Sequence, residues 1–496
     1  MGSAVDRRAA FGSPEIERGE PRSVVVVGAG ISGLVAAWEL KRRGVPVTIF
    51  EAADRAGGAI GTSLADGFLA EHGPNSFVSS APVEALLSRL GLQGDVVEAN
   101  PDANKRYIVR DGRLIPFPMT PPALLGTALL SLRAKLRVLL EPLVGGGPRD
   151  ADESVAAFVR RRLGGEVLDY AVNPFIAGIF AGDPEMLSMA HAFPRVYELE
   201  REHGSLSKGL MRSRRASRRA RREATTMPDD RPSAGATEGE TPSAARLISF
   251  RDGMQSLTDT LADALGSSLK LATPVRLLHR GEARWVVETG PDGAVRARAV
   301  DAIVLAAPAH AVAAMELPAA LRRFALPIEQ VEYPPVSALT LGFERAHVAH
   351  ALDAFGVLVP AVEQRSVLGI LFSSTLFPER APAGHVALTV FVGGARQPAL
   401  AGLPTDELVR LVRTDLRDLV GVRGEPVFAK HVYWSRGIPQ YEVGYGRVKD
   451  AADATEAANP GLYLTGNYRH GVSVGDCIAS GQLVAEKVAA YLTRAG

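Results

Sequence analysis

Four consecutive valines, Val24 to Val27, run directly into Gly28-Ala29-Gly30-Ile31-Ser32-Gly33. A short, wholly apolar run of β-branched residues reads as a strand buried on both faces, the mark of a parallel sheet. Leu34, Ala37, Leu40 and Lys41 then recur at helical spacing until Gly44, and Val45 to Phe50 resume as a second strand ending on Glu51. The order predicts a βαβ unit with a GxGxxG turn between its first strand and its helix. The first glycine permits the tight turn, the second lets backbone approach a pyrophosphate, and the helix N-terminus offers amides to the phosphate charge. Glu51 follows Gly33 by 18 residues, where an acid accepts hydrogen bonds from the ribose hydroxyls of an adenosine. The chain is therefore expected to bind a dinucleotide through Gly28, Gly30, Ser32, Gly33 and Glu51.

At 496 residues the chain is about three times an average domain of ~150 residues, so two or three domains are expected, interleaved or in series. Apolar residues at 46% and charged residues at 22% fit a globular protein, and a net charge of +1 argues against a nucleic-acid partner. The single cysteine, Cys477, excludes an internal disulfide and a cysteine-built metal site, and is expected to be a buried small residue in a reducing compartment. No metal site is expected. Residues 1–22 carry scattered charges without an apolar core, and Val24 to Leu40 is too short and too glycine-broken to span a bilayer, so neither a secretory signal nor a transmembrane helix is expected.

Residues 121–144 hold two Leu-rich segments, Pro121 to Leu125 and Leu136 to Val144, joined through Arg133, Lys135 and Arg137; they are expected to be helical and partly surface-seeking. Lys208 to Arg222 contains eight basic residues and no acidic one, and the polar stretch up to Ala245 completes an expected disordered insertion, either a solvated loop or an adhesive for anionic lipid. Beyond it come a helix over 256–265, strands over 269–278, a turn at Pro291-Asp292-Gly293 and a buried strand over 301–306. Residues 335–395 alternate β-rich runs with Gly and Pro and predict a mostly antiparallel sheet, a layer separate from the nucleotide unit.

After Glu51, Ala52-Ala53-Asp54-Arg55-Ala56-Gly57-Gly58 resembles the E-x-x-x-R-x-G-G extension of the flavoproteins that include amine oxidases, carotenoid desaturases and protoporphyrinogen oxidases. Further runs narrow the resemblance to the oxygen-dependent protoporphyrinogen oxidase family: Glu71 to Phe77, Lys105 to Val109, Ala177 to Asp183, Phe250 to Gln255, Phe355 to Pro360, Ile438 to Tyr441 and Gly466 to Tyr468. The resemblance spans nearly the whole chain apart from residues 1–20 and the 208–245 insertion, which the family pattern lacks. It implies an α/β fold in which a Rossmann-like FAD-binding domain of the p-hydroxybenzoate hydroxylase/amine oxidase type joins an α+β substrate domain and a helical membrane-associating domain. The expected boundaries are 21–90, 246–308 and 431–496 for the FAD domain, 91–207 for the helical domain and 309–430 for the substrate domain.

The same resemblance implies roles for individual residues. Arg55, Gly57, Gly58, Gly73, Pro74, Asn75, Ser76, Val275, Trp434, Gly466, Val472 and Val474 join the GxGxxG residues around FAD. Arg106 pairs with a propionate, for which a planar, permanent cation is suited. Phe391, Leu358 and Leu371 hold the tetrapyrrole from two sides, Phe355 lines the cavity, and Gly178 leaves room for a substrate edge. No side chain is assigned as catalytic, because the implied chemistry is hydride transfer from the porphyrinogen to flavin, three times over, with oxygen as acceptor and hydrogen peroxide as product. A homodimer, peripheral to the cytoplasmic face of a membrane, is implied as well. Three other readings stay open: a coproporphyrinogen III oxidase, an amine oxidase or carotenoid desaturase, and a flavin-containing scaffold.

Overall fold

The computed structural model describes residues 22–147, 152–212, 246–281, 284–290 and 296–494. The valine run does form a buried strand, Val24–Val27, at the centre of a five-stranded sheet. It pairs in parallel with Val47–Phe50 on one side and with Ala302–Leu305 on the other, and Leu269–Lys270 and Leu462–Leu464 close the edges, also parallel. Both faces are covered, which is why Val24–Val27 and Ala302–Leu305 are apolar at every position. On one face the helices Ile31–Arg42, Gln255–Leu265 and Val474–Arg494 bury Leu34, Leu40, Leu261, Ile478 and Val488 against Val24 and Val26. On the other, Val25, Val27, Ile303 and Leu305 share a core with Trp285, Leu321, Tyr333, Tyr441 and Tyr445.

A second sheet has seven strands in the order Phe428–Trp434, Val336–Glu344, His385–Gly393, Val367–Leu371, Gly356–Leu358, Arg106–Arg110 and Arg113–Pro116. All neighbours are antiparallel except Gly356–Leu358 with Arg106–Arg110. Its far face packs Leu339, Leu341, Ile370, Leu388 and Val390 against Leu408, Val412 and Leu416 of the amphipathic helix Thr405–Val420. This is the expected mostly antiparallel layer.

Four expectations are corrected by the pairing. Residues 91–120 are not part of a helical domain: Arg106–Arg110 and Arg113–Pro116 belong to the seven-stranded sheet, and Val96–Glu98 pairs with Leu247–Phe250. Val96–Glu98 finds its partner far along the chain, whereas Arg106–Arg110 and Arg113–Pro116 form a local hairpin about Asp111-Gly112, a turn signal that the sequence reading passed over. Residues 309–333 pack into the core of the parallel sheet rather than into the substrate layer, and Phe428–Trp434 carries the antiparallel sheet past residue 430. Arg133, Lys135 and Arg137 are not a joint between helices; they lie inside Leu132–Leu139, which begins early because the Ser131 hydroxyl caps the Ala134 N–H at 3.2 Å. Lys208 to Arg212 is helical, not disordered. The rest of the expected insertion, 213–245, and the Pro291–Gly293 turn lie outside the described residues.

The helical segment is braced by a buried charge cluster. Arg162 and Glu141 are both fully buried and 3.0 Å apart, and Arg162 also pairs with Glu200, which in turn binds Arg161 at 2.7 Å. Removing the cation from such a cluster leaves desolvated carboxylates behind. Arg162→Ala is expected to cost about 3–5 kcal/mol in urea denaturation, and a loss below about 1 kcal/mol would show that the cluster relaxes instead.

Candidate active site

The loops that follow the parallel strands converge at their carboxyl ends, where open α/β sheets bind ligands. Gly28 N–H donates to Phe50 O at 2.8 Å, Ala306 N–H to Val27 O at 2.8 Å and Thr465 N–H to Leu305 O at 3.0 Å, so four strand ends form one rim. Gly28 has φ +100°, and a Cβ on Gly33 would lie 2.0 Å from the Gly28 carbonyl oxygen. Gly30 differs: a Cβ there would meet nothing within 4 Å. It precedes the helix Ile31–Arg42, which has no side-chain cap and no acid in its first turn. An open space over an uncompensated helix N-terminus fits a pyrophosphate. Ser32 Oγ is committed to Cys477 O at 3.0 Å, which leaves only its backbone for a ligand.

Glu51 is held in this turn: its carboxylate accepts from Ala29 N–H at 2.6 Å and Ala53 N–H at 2.9 Å. The following loop crosses the first, because Gly57 N–H donates to Ala29 O at 2.8 Å and a Cβ on Gly58 would lie 3.2 Å from Gly30 Cα. Arg55 donates to the carbonyls of Ala56, Gly58 and Ile60, at 3.1, 2.6 and 2.9 Å, and meets no carboxylate among the described residues. Its full charge thus faces the rim. Val275 opens a strand of a separate three-stranded sheet, brought close through Thr273 N–H, which donates to Glu51 O at 2.8 Å.

Gly73, Pro74, Asn75 and Ser76 form a half-buried run fixed at both ends. Gly73 is needed for a close approach, since a Cβ would lie 2.3 Å from Ala59 O, and Trp434 Nε1–H donates to His72 O at 2.8 Å. Burial, and then the charges of Lys430 and Arg55, lower the His72 pKa, so this imidazole stays neutral. Val472 is partly buried between two cores and Val474 starts the C-terminal helix. Sequence reasoning missed what holds the 466–474 loop: Tyr441 OH accepts from Gly471 N–H at 3.0 Å and donates to Asn467 O, and Tyr445 OH donates to Tyr468 O at 2.7 Å. Beside them burial, and then neighbouring cations, push His470 down to about 4. Cys477 is buried, with its thiol pushed up to about 11, as expected of an inert core residue.

The second group comes together on the near face of the antiparallel sheet. Arg106 is opposite Gly356, Gly356 is opposite Leu371, Leu358 is opposite Gly369, and Gly369 is opposite Phe391. Paired residues share a face and alternate residues return to it, so Arg106, Leu358, Leu371 and Phe391 project on one side. Phe355, Leu371 and Phe391 belong to one apolar cluster, and Gly178, from the helix Asn173–Phe180, faces Leu358, where a Cβ would lie 2.9 Å from Cδ2. Gly356 and Gly369 deepen this face; Gly356 lies inside the Phe355 to Pro360 run without an assigned role, and Gly369 lies in none of the family runs. The Arg106 guanidinium lies 4.8 Å from the Phe355 ring centre, meets no carboxylate among the described residues, and is lowered in pKa by burial. Its neighbour Lys105 is already paired with Asp353 at 2.6 Å.

A buried ion pair joins the two groups. Arg380 Nη2 lies 3.3 Å from Glu71 Oε1 and donates to Ser249 Oγ at 2.8 Å and Phe250 O at 3.1 Å, while Glu71 accepts from Thr62 Oγ1–H at 2.6 Å and Met254 N–H at 2.9 Å. Desolvation raises the Glu71 pKa and lowers that of Arg380.

A dinucleotide rim beside a half-buried, unpaired cation on an apolar face defines an oxidoreductase that carries its own redox cofactor. The chain belongs to the flavin-containing amine oxidoreductase family, whose model matches residues 31–489, and FAD is its cofactor. Protoporphyrinogen oxidase 2, chloroplastic/mitochondrial, of Arabidopsis thaliana is 36% identical over 496 residues, covering 96% of each chain. The coproporphyrinogen III oxidase of Bacillus subtilis is 29% identical over 95% of this chain and 98% of its own. A structure from Exiguobacterium sp. 255-15, provisionally described as a protoporphyrinogen oxidase, superposes with a TM-score of 0.76 at 24% identity, covering 95% of this chain and 99% of that one.

The two glycines of the turn predict different failures. Gly30→Val adds a side chain only to open space, so the purified variant is expected to fold with unchanged circular dichroism yet carry no flavin absorption. Gly33→Val meets the Gly28 carbonyl and is expected to lose folded yield as well. Retention of bound flavin by Gly30→Val would place the cofactor's phosphates elsewhere.

Proposed function

We propose that the chain is a protoporphyrinogen IX oxidase of tetrapyrrole synthesis, with oxygen as terminal acceptor and hydrogen peroxide as the second product. The observation that carries the reading is the half-buried Arg106, without a carboxylate partner among the described residues, on the same sheet face as Leu358, Leu371 and Phe391. A flat, apolar macrocycle with acidic arms at one edge is complementary to that face. FAD supplies the hydride acceptor. The chain's own residues bind and orient: Arg106 takes a propionate, the leucines and Phe391 hold the rings and keep water out, and Gly178 makes room for an edge. Glu51, Arg55 and the glycines of the rim hold the cofactor, with Gly73, Pro74, Asn75, Ser76, Val275, Trp434, Gly466, Val472 and Val474 around it.

Coproporphyrinogen III, with four propionates, is disfavoured on this face because Arg110, the next cation on the same side of the strand, is already paired with Glu166 at 2.6 Å, and Lys105 with Asp353. Purified enzyme supplied aerobically with each porphyrinogen, followed by porphyrin fluorescence, is expected to prefer protoporphyrinogen IX; preference for coproporphyrinogen III would overturn the substrate while leaving cofactor and fold in place. Arg106→Ala removes a charge-assisted pair worth about 1.5–3 kcal/mol, so KM is expected to rise roughly 10- to 100-fold with little change in kcat. An unchanged KM would remove Arg106 from the site.

The same reading includes a homodimer, supported by likeness to the family, and peripheral attachment to the cytoplasmic face of a membrane through residues 121–144. Among the described residues no helix is long and apolar enough to cross a membrane. Leu132, Leu136, Leu139, Leu140 and Leu143 are instead 51–80% exposed along one stretch, a concentration that a surface meeting only water does not favour. Leu136→Glu with Leu139→Glu is expected to move the protein from the membrane to the soluble fraction, and unchanged membrane recovery would overturn the attachment.

A further inference from the structure

The leucine stretch is one side of a helix whose other sides carry a second pattern. In Leu132–Leu139, Ala134 is buried and Val138 packs against the helical core, while Leu132, Leu136 and Leu139 point the opposite way, as spacings of four and three require at about 3.6 residues per turn. Arg133 and Arg137 then fall on one flank of the leucine stripe and Lys135 on the other. Lys135 Nζ donates to Leu125 O at 2.9 Å and Arg137 Nη2 to Arg161 O at 2.6 Å, both neutral carbonyls. No carboxylate pairs with any of the three among the described residues. From Gly112 to Leu140 the sequence holds four basic residues and no acidic one. The first acid after that stretch, Glu141, is fully buried.

Glu141 also ties a second segment to this surface. Its carboxylate accepts from the N–H groups of Leu206 and Ser207, at 2.9 and 3.1 Å, and from Ser205 Oγ–H at 2.8 Å, so it caps the helix that starts at Leu206. That helix presents Leu210 and Met211, 47% and 53% exposed, together with the exposed cations Lys208 and Arg212. Two segments thus show the same combination, exposed apolar side chains bordered by cations, and both are anchored on one buried carboxylate.

We propose that this surface is selective for anionic bilayers: the leucines enter the acyl boundary while Arg133, Lys135 and Arg137, with Lys208 and Arg212, lie at the depth of anionic headgroups. Charge complementarity commits it to that occupant, since a zwitterionic bilayer balances each headgroup phosphate with its own ammonium and offers these cations no net attraction, and an acidic surface alone gives the leucine stripe nothing to enter. The inference rests on the membrane attachment proposed above and adds the lipid class and the residues that read it. It places the selectivity on described helices rather than on the basic run from Arg214 to Arg222.

The test is co-sedimentation of the FAD-loaded full chain with vesicles of phosphatidylcholine alone and with roughly 30% phosphatidylglycerol added, where binding to the anionic vesicles is expected to be at least about tenfold tighter and to lose that margin at high salt. Arg133→Gln, Lys135→Gln and Arg137→Gln together are expected to reduce the margin sharply while binding to neutral vesicles and the flavin spectrum stay as in the parent. A second chain lacking residues 213–245 is expected to keep the margin. Equal binding to both vesicle types would overturn the selectivity and leave membrane attachment standing, whereas binding to neither would overturn both. A margin that survives the triple substitution, that disappears with residues 213–245, or that is displaced by single-stranded RNA as readily as by anionic lipid would assign the cations another role.

Discussion

Glu71 and Arg380 meet in a place where neither charge has water to turn to, and the relation between the two sheets hangs on that contact. Glu71 ends the strand Phe68–Glu71 and leads at once into the His72 to Ser76 run beside the dinucleotide rim, while Arg380 follows the strands that carry Leu358 and Leu371. Each partner also satisfies groups of a third segment, Ser249 to Met254, which returns the chain to the parallel sheet. Burying the pair costs desolvation on both sides, visible in the raised Glu71 and lowered Arg380 pKa values, and the cost is offset only because the remaining lone pairs and N–H groups are bonded. Such a contact adds little net stability but tolerates few geometries, which suits a joint that sets the separation between cofactor rim and substrate face.

The same economy of charge recurs elsewhere. Several glutamates are pinned to backbone amides, as Glu51 and Glu141 are, or paired with arginines, as Glu141 and Glu200 are. Against that background the guanidinium of Arg106, set over Phe355 with no carboxylate partner among the described residues, and the three cations of Leu132–Leu139 are conspicuous. In both places a positive charge borders an otherwise apolar surface, and the ligand proposed above for each is an amphiphile: an acidic macrocycle in one case, an anionic lipid in the other.

Much of the nucleotide unit was legible because its determinants are local. The run Val24 to Val27, the glycine spacing and Glu51 each act over a few residues, and steric limits on Gly28 and Gly33 are properties of the turn itself. The antiparallel layer was legible in outline from its alternation, but not its membership. Arg106–Arg110 and Arg113–Pro116 make a hairpin whose Asp111-Gly112 turn is local, but nothing near residue 106 encodes Gly356–Leu358, the distant strand that joins the hairpin to the sheet. Tyr441 stood in the Ile438 to Tyr441 run without a role and Tyr445 in no run, and it is the fold that sets their hydroxyls on the 466–474 loop. The leucines of 132–143 suggested a helix, and only Ser131 and Glu141 explain where it starts and what it is fixed to.

What the sequence determined by itself is therefore the dinucleotide turn and the alternation that makes a second layer, which short-range sterics and periodicity fix, and, by the resemblance of the runs around them, the family. Which side chains share a face was decided by tertiary structure alone. Arg106, Leu358, Leu371 and Phe391 are ordinary residues of four separate strands, and they become one surface because strand register, which brings Arg106 beside the distant Gly356, turns them to the same side.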